Sequence, residues 1–455
     1  MKQLNKIYYP ILLLSLVLIS QQRSVAQVGH VLQHVGAVNT STGGASTAQP
    51  FDINGALQWN VATISEFNTN ELSVGTGIFF SDPSIFSSVS TPQGEFSGQT
   101  GDDRGISTLP SLAMVFGKKA SRHTFGVSIF GVAGFGVTFP QSQSNPITLS
   151  QQNGGFGRIE SDYRMLQAGF AYSLQITEKL SLGVKPAFNY ASLLIEPNPL
   201  SRPDPQRGFP ESDKAHTFGI GGDVGLFYVT EFGLKLGAAY KTPQFFRDFE
   251  MDNTFLDGSQ AQEVDFNLDY PSIISAGIGY STQLIDFAFD YRYITYAQTD
   301  GFQKQGWELQ TTPDGTQVPT GAVRGFGWQN ISVVSTGIEF KGFDKFPVRA
   351  GYTFSENPIK SELAFFSAPA TAIINDAFQI GIGHQLTDHI GLNLAYHHGW
   401  SRNQTSGPLL NPTPDFAGGP WNADTNPRGI VPGSNVGFDM TTDMLVVSFN
   451  YTFKK

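Results

Sequence analysis

The 455-residue sequence has no cysteine, and only 15% of its residues are charged. So few charges exclude an ordinary soluble domain. The lack of cysteine suits an envelope compartment where thiols oxidise, and it rules out a lipoprotein, which needs a cysteine at its cut. Long apolar runs are scarce as well. None beyond the extreme N-terminus approaches the length of a membrane-crossing helix, and mean hydropathy is slightly negative, so a bundle of transmembrane helices is excluded. A closed β-barrel is the remaining way to satisfy backbone groups in lipid. The formal net charge of −10 argues against a nucleic-acid partner.

The N-terminus reads as a secretory signal. Lys2 and Lys6 give the positive region, Ile11 to Ile19 the apolar run, and Ser24-Val25-Ala26 the small-residue cleavage site. The expected division is a signal peptide over 1–26, a strand-free segment over 27–68 and a barrel over 69–455.

Glycine (50 residues) and phenylalanine (38) are abundant, and they fall on opposite faces of recurring alternating segments. Leu166, Ala168, Phe170, Tyr172 and Leu174 share one face, with Gln167, Gly169, Ala171 and Ser173 on the other. The same parity places Ile285, Phe287, Phe289, Tyr291 and Tyr293 opposite Asp286, Asp290 and Arg292. It also places Ile390, Leu392, Leu394 and Tyr396 opposite Asn393 and His397. A soluble sandwich must keep its inward face apolar, whereas a barrel in lipid reverses this.

The pattern predicts strands at 71–82, 107–118, 123–139, 160–176, 180–195, 214–229, 232–247, 263–282, 285–298, 329–343, 346–357, 375–386, 390–402 and 440–453. The even count fits a bacterial barrel of Gram-negative type. Tight connections such as Thr177 to Lys179 and Gln283-Leu284 alternate with long ones rich in Pro, Asn and Gly, so both termini lie on the periplasmic side. The fold class is all-β, a 14-stranded antiparallel transmembrane β-barrel. Its last strand carries Leu445, Val447, Phe449, Tyr451 and Phe453 on one face. It resembles the terminal strand recognised by the barrel-assembly machinery, although two lysines follow Phe453.

Before the first strand lie Thr40-Ser41-Thr42-Gly43-Gly44-Ala45-Ser46-Thr47-Ala48 and Asp52-Ile53-Asn54-Gly55-Ala56-Leu57-Gln58-Trp59-Asn60-Val61-Ala62. Gly43, Gly44, Ala45, Ala48, Asp52, Asn60 and Ala62 resemble the N-terminal motif of the FadL/TodX family of outer-membrane transporters; Val61 stands where that family usually has proline. Further resemblance lies in Gly237 to Pro243, in Arg349-Ala350-Gly351-Tyr352 with Pro358 after it, and in the Gly-rich strand from Ala377 to Gly383. The resemblance implies an N-terminal hatch inside the lumen, with Gly43, Gly44, Asp52, Asn54 and Asn60 as its marked residues. It also implies inward transport of hydrophobic molecules such as long-chain fatty acids or aromatic hydrocarbons, in contact with outer-membrane lipid.

Transport of that kind needs an apolar path and an exit. Phe130 and Val132 fall on the inward parity of the third strand, with Ile129, Ala133 and Phe135 expected to face lipid. The pair either lines a ligand path or packs on the hatch. Gly131, Gly134 and Gly136 predict a bulge or bend, and in the family a kink in this strand opens a lateral gap. The inward cations Lys185, Lys235, Arg292 and Arg349 accompany Asp223, Asp286, Asp290 and Glu339. They form a bracing ion-pair network, or some of them receive a carboxylate ligand. No nucleophile–base pair, metal cluster or cofactor motif is legible, and His397-His398 puts its two rings on opposite strand faces. An outer-membrane lipase or protease is therefore disfavoured. A general diffusion porin and a structural or adhesive barrel are the competing functions, and the hatch segment is what would distinguish the porin.

Overall fold

The computed structural model describes residues 29–402 and 404–453. The signal segment, its cut after Ala26, and Gln27 and Val28 lie outside them. Alternation builds one large antiparallel sheet of 17 strands, three of which are the short additions Gly94–Gly101, Phe245–Phe246 and Thr405–Gly407. The other fourteen form the wall. They are β1 (Asn70–Thr91), β2 (Ile106–Phe116), β3 (His123–Phe139), β4 (Ile159–Gln175), β5 (Leu180–Glu196), β6 (Ala215–Val229) and β7 (Leu234–Lys241). They continue as β8 (Ile273–Ser281), β9 (Ile285–Ile294), β10 (Ile331–Phe340), β11 (Val348–Ser355), β12 (Asp376–Gln385), β13 (Ile390–Trp400) and β14 (Asn435–Phe453). Each pairs with the next, and β14 closes on β1 from Asn70 opposite Phe453 to Ser88 opposite Asn435. The described strands thus close into a barrel.

The outward positions are the apolar ones: Phe170 is 57% exposed and Phe449 53%, whereas Gln167 and Ser448 are buried. On β4 the outward face stays apolar or aromatic from Leu174 to Leu166 and then turns polar at Arg164, which marks the extracellular limit of the lipid-facing band.

Several expectations need correction: the first strand runs on to Thr91 rather than 82, the ninth ends at Ile294 rather than 298 because Tyr296–Gln298 forms a 3-10 turn, and the last begins at Asn435 rather than 440. The eighth strand starts at Ile273 rather than 263, because Val264–Phe266 pairs with Phe249–Met251 in a separate extracellular ribbon. The seventh ends at Lys241, and Phe245 and Phe246 turn back onto Ile220 and Gly219. Ala133 and Phe135 do not face lipid; they are 4% and 6% exposed, on the inner face. The reason is a register shift between Gly131 and Ala133, where Val132 is an extra residue and reverses the parity beyond it.

The lumen is filled from the N-terminal side. Every residue from Gly29 to Gln49 is buried, as is the run from Asp52 to Ile64. Two short helices, α1 (Gly36–Ser41) and α2 (Ile53–Trp59), lie there, followed by a 3-10 turn at Val61–Glu66. Gly43 and Gly44 end α1 with φ of 66° and 73°, a conformation that disfavours side chains; a Cβ on Gly44 would lie 2.1 Å from the Gln33 carbonyl oxygen. Asp52 caps α2, accepting from the Gly55 amide at 2.9 Å and from Asn54 Nδ2 at 2.8 Å. Asn54 Nδ2 also reaches Ser73 on β1 at 2.8 Å. Asn60 joins the next turn to the wall, donating to Thr47 O at 2.7 Å and Leu226 O at 3.0 Å. Bare glycines on the wall let this plug touch backbone directly: a Cβ on Gly225 would lie 2.0 Å from Asn60 Oδ1. The plug is a hatch inside the barrel.

Candidate functional site, a gap in the wall beside the third strand

Pairing between β2 and β3 runs from Phe116 opposite Phe125 to Ser111 opposite Phe130. There it stops. β2 continues on β1 as far as Ile106 opposite Phe80, and β3 continues on β4 as far as Phe139 opposite Ile159. Residues 131–137 of β3 therefore have no ladder partner on the β2 side. The strands are rejoined above, where the Asp103 amide donates to Thr138 O at 2.8 Å and the Thr138 amide donates to the Asp102 carboxylate at 2.5 Å. The result is a window in the wall with closed upper and lower ends.

An unpaired backbone cannot face lipid. The hatch meets this requirement from inside: the Leu32 amide donates to Val132 O at 3.0 Å, and the Gly134 amide donates to His30 O at 2.9 Å. Pairing on β4 puts Gly134 opposite Arg164 and Gly136 opposite Asp162, so these glycines lie on the outer face. Gly131, opposite Leu166, and Gly134 leave a trough where side chains would otherwise stand, while the Arg104 guanidinium fills the place over Gly136.

A cavity of about 410 Å³ runs through the window. Leu109 and Pro110 line one side, Gly131 and Gly134 the other, with Leu32 and Tyr163 inside and Leu166 and Tyr190 outside. Phe130 and Val132, expected either on a ligand path or packed on the hatch, do not line this cavity; they are 0% and 1% exposed in the core that the hatch shares. At the upper rim Arg104 crosses the face of Gly136 to reach Asp162 at 2.5 Å, and Lys214 and Arg164 reach the same carboxylate at 2.7 and 2.9 Å.

Each inward cation singled out in the sequence meets a carboxylate of this chain. Lys185 lies 2.6 Å from Asp223 and donates to Leu57 O of the hatch at 2.7 Å. Lys235 lies 3.4 Å from Glu66 at the hatch's end. Arg292 lies 2.7 Å from Asp290, donates to Gly44 O at 2.6 Å and covers the Trp59 ring at 3.7 Å. Asp290 in turn accepts the Ser46 and Thr47 amides at 2.7 and 2.8 Å. Arg349 joins Glu339 at 2.5 Å and Asn393 at 3.0 Å. Lys185, Lys235 and Arg292 brace hatch against wall, Arg349 ties wall strands to one another, and none of the four lines the window cavity.

Sequence reasoning missed Lys241, which shares Asp223 at 3.0 Å, and the rim set Arg104, Asp162 and Lys214. Inward parity could have found Lys241. The rim set comes from three separate stretches and carries no sequence signal. His397 is buried and His398 lies outward against Asp443 at 2.6 Å, on opposite faces as their adjacency requires. No group of potential metal ligands occurs among the described residues.

The fold is shared with solved outer-membrane channels. The toluene transporter TodX of P. putida matches with a TM-score of 0.64 at 16% identity, over 93% of this chain and 99% of that one. A Pseudomonas aeruginosa FadL homologue gives 0.67 at 13% identity, over 94% and 100%. The Ralstonia pickettii toluene transporter TbuX gives 0.61 at 16%, over 93% and 99%. Among curated proteins none matches the sequence. A family model described as outer membrane protein transport protein (OMPP1/FadL/TodX) matches residues 16–440, and with hatch, closed barrel and this match together, the chain belongs to that family of outer-membrane transport proteins.

Proposed function

We propose that the chain carries small hydrophobic molecules, long-chain fatty acids or toluene-sized aromatics, inward from the cell surface and releases them sideways into the bilayer. The observation that carries the reading is the window between β2 and β3, with its cavity reaching the outer face beside Leu166, at the extracellular edge of the lipid-facing band. Physical chemistry favours that exit. A hydrophobic solute set free in the periplasm gains nothing, whereas lateral release keeps its apolar surface out of water. The braced hatch supports the same reading over an open porin, since Lys185, Arg292 and Lys235 tie a plug across the lumen through Leu57 O, Gly44 O and Glu66. The signal peptide at 1–26 and recognition of the last strand by the barrel-assembly machinery belong to this proposal as its route to the membrane.

The test is uptake of radiolabelled oleate and toluene by a strain lacking the gene and by the same strain complemented with it. Complementation should restore entry of one or both. Replacing Gly131 and Gly134 with leucine, whose side chains fill the trough, should cut the restored rate at least tenfold while the barrel still assembles. Absence of any restored uptake, for every hydrophobic probe, would favour a structural or adhesive barrel.

A further inference from the structure

Inside the window, where Tyr163 forms the cavity's inner wall, the first described residues of the hatch enter a chamber built of rings. The His30 imidazole stacks on Phe302 at 4.7 Å between centroids. Tyr163, Tyr270, Tyr296 and Trp328 surround it at 5.8, 5.7, 5.4 and 6.2 Å. The Tyr and Trp rings come from β4 and from two extracellular connections, β7 to β8 and β9 to β10, so the site is assembled only in the folded barrel. One side of the imidazole is satisfied: His30 Nδ1 lies 3.1 Å from Tyr296 Oη.

Trp328 Nε1 also has a partner, donating to Ser367 Oγ at 3.1 Å, but three other polar atoms of the chamber do not. His30 Nε2, Tyr163 Oη and Tyr270 Oη are all buried and have no hydrogen-bond partner. An unmade hydrogen bond at a buried polar group costs about 1–3 kcal/mol, and a cluster of such groups calls for an explanation beyond packing. Phenylalanine at both tyrosine positions would give the same ring contacts at no such cost. The two hydroxyls thus point to a ligand.

We propose that this chamber binds a neutral aromatic ring bearing a hydroxyl group, with its alkyl tail lying in the adjoining window cavity. This assignment rests on the transport reading above and narrows its substrate class. The bound ring takes the place of the His30 imidazole, stacked on Phe302, as that side chain rotates away. A phenolic hydroxyl both donates and accepts, so it can satisfy Tyr163 and Tyr270 together. A carboxylate fits less well, because it would be buried among rings without a cation among the six side chains named. A plain hydrocarbon would leave both tyrosine hydroxyls unpaired.

The test uses the full chain reconstituted in lipid vesicles, with para-nonylphenol, nonylbenzene and para-nonylbenzoate as probes that share a tail. Binding is read by quenching of tryptophan fluorescence. Nonylphenol should bind about tenfold more tightly than either other probe, the worth of one or two hydrogen bonds. Tyr163→Phe with Tyr270→Phe should abolish that preference and leave nonylbenzene binding unchanged, since the rings remain. His30→Ala should tighten nonylphenol binding. Equal affinities in the wild type, tighter binding of the benzoate, no binding of any probe, or a preference that survives the double substitution would each overturn the proposal. If the complemented strain takes up oleate or toluene but shows no phenol preference, only this inference falls. If it takes up no hydrophobic probe at all, the transport reading falls with it.

Discussion

At the scale of single residues, the barrel shows how much depends on groups that are small or buried. Inward glycines such as Gly225 and Gly237 were visible in the sequence as a bare strand face, but what they admit was not. A Cβ on Gly237 would lie 2.0 Å from Thr47 O, so this residue sets how closely the hatch approaches the wall. Asp269, in the connection between β7 and β8, is a second case. Its carboxylate accepts the Phe246 amide at 2.8 Å, and burial, aided by the nearby Asp300 and Asp248 charges, pushes its pKa up to about 6. The folded state therefore holds this proton more tightly than the unfolded chain does. Its contribution to stability is present below the ordinary carboxylate value of 3.8 and is lost as pH rises through about 6. Asp269→Asn keeps an acceptor oxygen and removes the charge. Its thermal midpoint by circular dichroism should rise at about pH 7.5 and stay unchanged at about pH 4; a fall at the higher pH would show that the carboxylate is stabilising there.

At the scale of elements, strand existence and facing were legible wherever alternation continued unbroken. The pattern failed in the middle of β3. Its glycines indicate a bend, but a two-residue period cannot show which residue is extra, so unbroken alternation puts Ala133 and Phe135 on the lipid side, whereas the extra residue Val132 turns both inward. The hatch motif was legible only through family resemblance, since its contacts join segments hundreds of residues apart. Asp290 is the clearest such joint, gathering Arg292 from its own strand with the Ser46 and Thr47 amides of the hatch. Removing its charge leaves Arg292 buried without its ion-pair partner, a loss of about 3–5 kcal/mol by comparison with other broken buried pairs. Asp290→Asn should accelerate amide hydrogen exchange at Ser46 and Thr47 by at least tenfold while wall amides on β12 and β13 keep their protection. Unchanged exchange at Ser46 and Thr47 would mean that the remaining wall contacts suffice to hold the hatch.

At the scale of the whole molecule, composition excluded helices and soluble folds, and the alternation of short turns with long connections oriented the barrel. The extracellular roof was not legible: the expected strands at 263–282 and 285–298 run through Tyr270 and Tyr296, which lie in connections, Phe302 and Trp328 lie in a segment with no period, and the four converge only through tertiary packing. The same holds for the rim of Arg104, Asp162 and Lys214. The window itself is a property of the assembled wall: it needs the end of β2–β3 pairing, the extra residue in β3 and the hatch backbone that meets the freed groups. The measurement that tests it most directly is uptake by a Val132 deletion, which removes the extra residue and allows β3 to pair in one register throughout. The account predicts a barrel that assembles and shows normal heat-modified mobility, yet takes up hydrophobic probes no faster than cells lacking the gene. Uptake at the wild-type rate by that variant, with its register shown to be continuous, would contradict lateral release.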